Sequence, residues 1–196
     1  MPANSSEMID LELLAPAKNI EIGIAAIDCG ADAVYIAGPA FGARQAAGNS
    51  MEDLAKLCSY AHKFGARIFM TLNTIIYDDE LQEAYSLMCR AEDAGVDAII
   101  VQDLAILKMA DGGPDGNGRR IRIPLHASTQ CAIRSVDKAL FYKWLGFSRL
   151  VLEREMELSR IREISHATGS EIEFFVHGAL CVCYSGQCYL SERITG

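Results

Sequence analysis

Ala94-Gly95-Val96-Asp97-Ala98-Ile99-Ile100-Val101 is the stretch whose reading decides the fold. A helical pattern ends at a glycine able to take the left-handed conformation, and an apolar run begins almost at once. Four consecutive apolar residues suit a strand covered on both faces, as in a parallel sheet. The same grammar recurs in Cys29-Gly30-Ala-Asp-Ala-Val-Tyr-Ile, Phe64-Gly65-Ala-Arg-Ile-Phe-Met, Leu145-Gly146-Phe-Ser-Arg-Leu-Val-Leu and Thr168-Gly169-Ser-Glu-Ile-Glu-Phe-Phe-Val. Each is a helix-to-strand joint, and joints of this kind in series build a parallel sheet.

Working outward, Ser50-Met-Glu-Asp53 forms a capping box ahead of Leu54, Leu57, Cys58 and Ala61 on one helical face. Asp78-Asp-Glu80 supplies first-turn acids before Leu81, Tyr85 and Met88. The patterns place strands near 11–15, 33–37, 67–73, 97–102, 122–127, 149–153 and 171–177. Helices fall near 19–29, 51–64, 78–94, 103–110, 134–145 and 157–167. An open doubly wound sheet and a (β/α)8 barrel both fit this alternation. Ala15-Pro-Ala-Lys-Asn follows the first strand where a dinucleotide loop would need Gly-x-Gly-x-x-Gly. Repetition favours an α/β fold of the TIM type, a (β/α)8 barrel truncated after its seventh strand, with residues 1–196 as a single barrel domain incomplete at the C-terminus. Such a barrel has open edges, which invite self-association. Asp111-Gly-Gly-Pro-Asp-Gly-Asn-Gly-Arg-Arg120 precedes a strand, which puts it on the face opposite a barrel's usual site and reads as a flexible, solvated connection.

The 196 residues suffice for one substantial core, and 51% hydrophobic content with 8% aromatics is ordinary for an α/β protein. A net charge of −8 disfavours a dedicated nucleic-acid-binding module, since phosphate binding wants a basic surface, yet leaves room for an enzyme that holds RNA through a local patch. The N-terminus shows neither a basic leader nor an apolar run of membrane-spanning length, so the expectation is a cytoplasmic protein with no membrane partner. Seven cysteines, with Cys29, Cys58 and Cys89 scattered through helical segments, make no disulfide framework. Cys58 and Cys89 lie on apolar helical faces and read as core residues.

In a barrel the site is built from the loops that follow the strands. Polar residue types gather there: Arg44 after the second strand, Asn73 after the third, Gln102 and Asp103 after the fourth, His126, Ser128 and Gln130 at the fifth, Arg154 and Glu155 at the sixth, and His177 at the seventh. His126 and His177 are candidates for proton transfer, because an unperturbed imidazole titrates near neutrality; each also reads as a core histidine satisfied by a carbonyl. Arg154 with Glu155 is a substrate clamp or a structural ion pair, and Asp103 a general base or a helix cap. Arg44, Asn73, Gln102, Ser128 and Gln130 are the candidate substrate contacts. No Gly-x-Ser-x-Gly elbow and no His-Glu-x-x-His helix is present.

The chain's last apolar strand runs into His177-Gly-Ala-Leu-Cys181-Val-Cys183-Tyr-Ser-Gly186-Gln-Cys188-Tyr-Leu-Ser191. Three thiols within eight residues can converge on a metal or an iron–sulphur unit, or serve in part as small buried hydrophobes. Zinc bound by Cys181, Cys183, Cys188 and His177 would strain tetrahedral geometry. The pattern Glu173-x-Phe175-x-x-Gly178-Ala179-Leu180-Cys181, then Gly186-x-Cys188-x-Leu190-Ser191, resembles the signature of peptidase family U32, the collagenase-like proteases. The likeness extends through Glu12-Leu-Leu-Ala-Pro16-Ala, Val101-Gln-Asp103, His126-Ala-Ser128-Thr-Gln130 and Val151-Leu-Glu-Arg154-Glu155.

The resemblance implies a barrel, and an enzyme in the full-length form. It implies hydroxylation of a nucleotide in transfer or ribosomal RNA, or oxygen-independent hydroxylation of a quinone precursor, with a four-cysteine 4Fe-4S cluster in some members. By motif, Cys181 and Cys188 match two cluster ligands, while the other two are expected beyond residue 196, so this chain alone is expected to bind no cluster. The family's name implies the alternative, hydrolysis of a peptide substrate, and a non-catalytic subunit or scaffold is the third reading. Glu153 stands where relatives usually carry a small residue, which bears on substrate choice.

Overall fold

The computed structural model describes residues 11–42, 48–178 and 183–186. One sheet of seven parallel strands runs in strict chain order. The strands are β1 (Leu14–Ala17), β2 (Ala33–Ala37), β3 (Arg67–Leu72), β4 (Ala98–Val101), β5 (Leu125–Ala127), β6 (Arg149–Val151) and β7 (Glu171–Glu173). Between them lie α1 (Ile20–Asp28), α2 (Met51–Ala61), α3 (Leu81–Asp93), α4 (Ala105–Ala110), α5 (Val136–Trp144) and α6 (Leu158–Thr168).

All five joint glycines, Gly30, Gly65, Gly95, Gly146 and Gly169, take positive φ, as the recurring pattern requires. The aspartate that follows two of them sets register. Asp32 accepts the Leu13 amide at 2.7 Å and Asp97 accepts the Ile68 amide at 2.7 Å, so each joint is tied to the start of the preceding strand. Ser50 accepts the Asp53 amide at 3.1 Å, capping α2, and its hydroxyl donates to the Asp53 carboxylate at 2.7 Å.

Some strands are shorter than the apolar runs suggest. The run expected from residue 122 joins the ladder only at Leu125, because Pro124 has no amide to give and contributes its carbonyl alone, to Ile99. The run expected to reach residue 177 ends as a strand at Glu173, where its neighbour β6 runs out of partners. The connection at 111–120, expected to be flexible, is stitched down: Gly118 donates to the Gly112 carbonyl at 2.6 Å and Tyr85 donates to the Arg119 carbonyl at 2.8 Å.

Alternate strand residues face opposite layers. Val34, Ile36, Ile68, Met70, Leu72, Ile99, Val101 and Leu150 pack outward against Leu54, Leu57, Leu87, Met88 and Ile106 of the helices, in one large core. Their neighbours Ala33, Phe69, Ala98 and Ile100 form a small second cluster on the concave side. That side is curled. Arg149 of β6 donates to Glu12, just before β1, at 2.6 Å, and Arg67 of β3 pairs with the same carboxylate. Strands far apart in sheet order thus meet across the concavity, as in a closing barrel.

Candidate active site at the strand ends

The concave face is organised by register. Ala37, Thr71, Ile100, His126, Arg149 and Glu171 are successive partners across β2 to β7. Arg149 is the hub: it donates to Glu12, to Glu171 at 2.8 Å and to Glu173 at 3.4 Å, and its guanidinium lies over the Phe69 ring at 5.1 Å. Burial pushes the Glu173 carboxyl up, and Arg149 pulls partly against it.

His126 stands one strand away, 3% exposed, edge-on to Phe69 with ring centroids 4.9 Å apart. Its Nδ1 is buried without a hydrogen-bond partner. Burial, with the charges of Arg149 and Arg67, pushes its pKa down to about 3. The expectation of titration near neutrality is therefore corrected: this imidazole is neutral at physiological pH. At Nδ1 it is also not the carbonyl-satisfied core histidine of the alternative reading.

Further toward the strand ends the other candidates separate by role. Ser128, buried, accepts the Gln130 amide at 3.2 Å and stands 3.5 Å from the Asn73 amide nitrogen, so the loops after β3 and β5 meet there. Gln102 is half-buried, with its carbonyl turned to the Cys131 thiol at 3.7 Å. Asp103 accepts the Ala105 amide at 2.9 Å and the Ile76 amide at 3.0 Å, one with each oxygen. Both carboxylate oxygens are thus taken up by backbone amides, one at the start of α4 and one in the loop after β3. His177 is exposed past β7. Arg44, Cys181 and Cys188 lie outside the described residues.

At β6 the pair Arg154 and Glu155 reaches Ser185, which belongs to the cysteine-bearing segment. Glu155 accepts the Ser185 amide at 3.1 Å and its hydroxyl at 3.1 Å, and Arg154 Nε lies 3.5 Å from that hydroxyl. Burial pushes the Glu155 carboxyl up, but hydrogen bonds from its own amide and from Ser185, with the Arg154 charge, outweigh this and leave it below its ordinary value. Glu153, 4% exposed, accepts from Arg134 Nε with both oxygens at 2.5 and 2.6 Å. A surface cleft of about 530 Å³ opens beside them, lined by Arg134, Glu153, Glu155, Glu157, Arg160 and Glu163. Carboxylates outnumber guanidiniums among those six, which ill suits a phosphate.

Sequence reasoning missed Arg149, Arg134 and Ser185. The first had a visible signal: charged residues at alternate strand positions (Arg67, Arg149, Glu171, Glu173) mark a polar concave face. Backbone strain collects at the same rim. The non-glycine residues with positive φ among those described, Phe41 and Ala132, follow β2 and β5, and such strain concentrates at functional sites.

A curled parallel sheet with helices on its convex side defines a protein of the TIM-barrel class, with the candidate site residues gathered at the C-terminal strand ends. The chain belongs to peptidase family U32, whose model matches residues 18–196. It is 55% identical, over 186 residues and 95% of its length, to the 23S rRNA 5-hydroxycytidine C2501 synthase of Escherichia coli (strain K12), covering 27% of that protein. It is 37% identical over 94% of its length to the tRNA hydroxylation protein P1 of Bacillus subtilis (strain 168), covering 42% of it. The chain thus spans between about a quarter and two fifths of these two relatives. A solved U32 peptidase structure superposes with a TM-score of 0.65 at 12% identity, covering 89% of this chain and 72% of that one, which shows the fold. Among the described residues no helix is long and apolar enough to cross a membrane.

Proposed function

We propose that this chain supplies the barrel of an enzyme that hydroxylates a nucleotide of RNA, with a cytidine of large-subunit ribosomal RNA as the first substrate to test. The 55% identity to a 23S rRNA 5-hydroxycytidine synthase carries the reading. The rim chemistry agrees with it. Asn73, Gln102, Ser128 and Gln130 are neutral donors and acceptors of the kind that read the edge of an unstacked base. Arg154, exposed at the same rim, offers charge to a phosphate, and Arg44, outside the described residues, is proposed for the same role. Below them lie His126 and Phe69, an uncharged imidazole against an aromatic ring.

The cofactor proposed is a 4Fe-4S cluster, with Cys181 and Cys188 as two of its thiolate ligands. Among the described residues no group of three or more His, Cys, Asp or Glu is placed to hold a metal, so these contribute no complete ligand set. In support of this reading, Ser185 and Gly186, which lie between the two cysteines in sequence, are seated on the rim beside Glu155 and Gln130. When bound, such a cluster supplies one-electron chemistry. Two buried thiols are poorly suited to peptide hydrolysis: burial pushes Cys58 up to about 12 and Cys131 up to about 11, far from a thiolate. The proposed enzyme works in the cytoplasm, where ribosomal RNA is found.

The test is anaerobic purification of the full-length protein with iron and sulphide analysis, Cys181→Ala and Cys188→Ala beside the parent. RNA from cells lacking the gene is then examined by mass spectrometry for loss of one oxygen from a nucleotide. About four irons per chain, lost in both variants, together with a missing hydroxyl that the parent gene restores, is the expected result. An iron-free, folded parent, or unaltered RNA, refutes it.

A further inference from the structure

Ser185 is 5% exposed, although Tyr184 beside it is 65% exposed. All three of its polar atoms are engaged by the barrel rim. Its amide and hydroxyl donate to Glu155, and its carbonyl accepts from Arg134 Nη2 at 3.2 Å. Arg134 is itself fixed by the two oxygens of Glu153 and lies over the Tyr184 ring at 5.5 Å. Gly186 completes the seat: at φ 73° it comes so close that a Cβ there would stand 2.7 Å from the Gln130 carbonyl and 3.0 Å from the Ala132 Cβ. Ala132 holds its own left-handed conformation, φ 53°, at that contact. The loops after β5 and β6 are thereby joined to one short piece of chain, which stands four residues after Cys181 and three before Cys188.

The geometry points to a latch: Glu155, through Ser185, and Arg134, backed by Glu153, are positioning residues that hold Ser185 and Gly186, between Cys181 and Cys188 in sequence, on the rim. Glu155 therefore acts on the loop. Glu153 has its explanation here too, as the buried anion that orders Arg134. Charge-assisted bonds to two backbone groups and one hydroxyl give the latch more strength than a surface ion pair would have. Where the thiolates of this segment bind a cluster, a statement that rests on the function proposed above, the latch plays the part that outer-shell hydrogen bonds play at metal sites.

The experiment uses full-length protein in four forms: the parent, Glu155→Gln, Ser185→Ala and, as a neighbouring surface control, Glu163→Gln. Each is stripped of metal with a chelator, and alkylation rates at Cys181, Cys188 and Cys58 are read peptide by peptide. Alkylation of Cys181 and Cys188 accelerates about tenfold in Glu155→Gln and in Ser185→Ala, on the scale of outer-shell losses, while Glu163→Gln matches the parent and the buried Cys58 stays protected throughout. The double variant Glu155→Gln/Ser185→Ala gains less than the two single effects combined, because both weaken the same contact. Unchanged rates, or Cys58 exposed in both single variants, overturn the latch. Iron release from the loaded forms is measured separately: release about tenfold faster in both single variants supports the latch, and release at the parent's rate counts against it. A parent that never holds iron removes the cluster while the alkylation result still decides the latch.

Discussion

The two faces of one sheet are built on opposite rules. On the convex side Ile68, Met70, Leu72, Ile99 and Val101 are sealed under helices, and the layer is apolar throughout. On the concave side the alternating residues of the same strands are Arg67, Phe69, Ala98, His126, Arg149, Glu171 and Glu173, and the apolar cluster shrinks to four buried residues. A strand's period of two lets one segment serve stability with one set of side chains and a polar cavity with the other. The convex layer is expected to respond to lost volume, the concave one to lost charge.

The largest effect belongs to the convex layer. Leu57→Ala, fully buried and packed against Gly23, is expected to cost about 4 kcal/mol in urea denaturation, while Leu57→Met costs about 1. Next comes the charge hub. Arg149→Met keeps much of the bulk yet leaves Glu12 and Glu173 without their cation, and is expected to cost about 3 kcal/mol at neutral pH. The cost shrinks in acid. Burial raises the native Glu173 pKa above the ordinary carboxylate value of 4.5, so its contribution is present below 4.5 and is lost as pH rises through the native pKa. Removing Arg149 raises that native pKa further and steepens the fall in stability toward neutrality. Equal losses at low and neutral pH would break the comparison.

His126 gives a third measurement. Its native pKa lies near 3 against an ordinary 6.5, so the unfolded chain binds the proton first as pH falls. Stability is expected to drop by at most about 1.4 kcal/mol per pH unit between 6.5 and 3, and that part of the slope vanishes in His126→Phe. Denaturant midpoints across this range check it. The smallest effect is a local one beneath the convex layer: Ser50→Ala removes the α2 cap for about 1 kcal/mol, read as a shift in midpoint without a change in slope.

Much of the convex layer was legible from the chain. Gly30, Gly65, Gly95, Gly146 and Gly169 announce the joints because helix termination is a local event, and Leu54, Leu57 and Cys58 announce their face by spacing alone. The candidate rim was legible as residue types, since a strand's end can be read without knowing its neighbours. Their roles were not. Asp103 takes the Ile76 amide, and Glu155 becomes a partner of Ser185, only when loops separated by about thirty residues are brought together. Arg149 meets Glu12 across 137 residues of chain, a distance over which no local pattern speaks.

That long contact carries a kinetic consequence. Each strand pairs with its neighbour in sequence, so the sheet can grow one strand at a time from either end, and its loop closures are short. The Glu12–Arg149 bridge can form only once β1 through β6 are assembled and curled. It therefore belongs to the downhill side of the folding barrier. Arg149→Met is expected to leave the refolding rate nearly unchanged and to speed unfolding, placing this ion pair in the native state's lifetime and outside its nucleus.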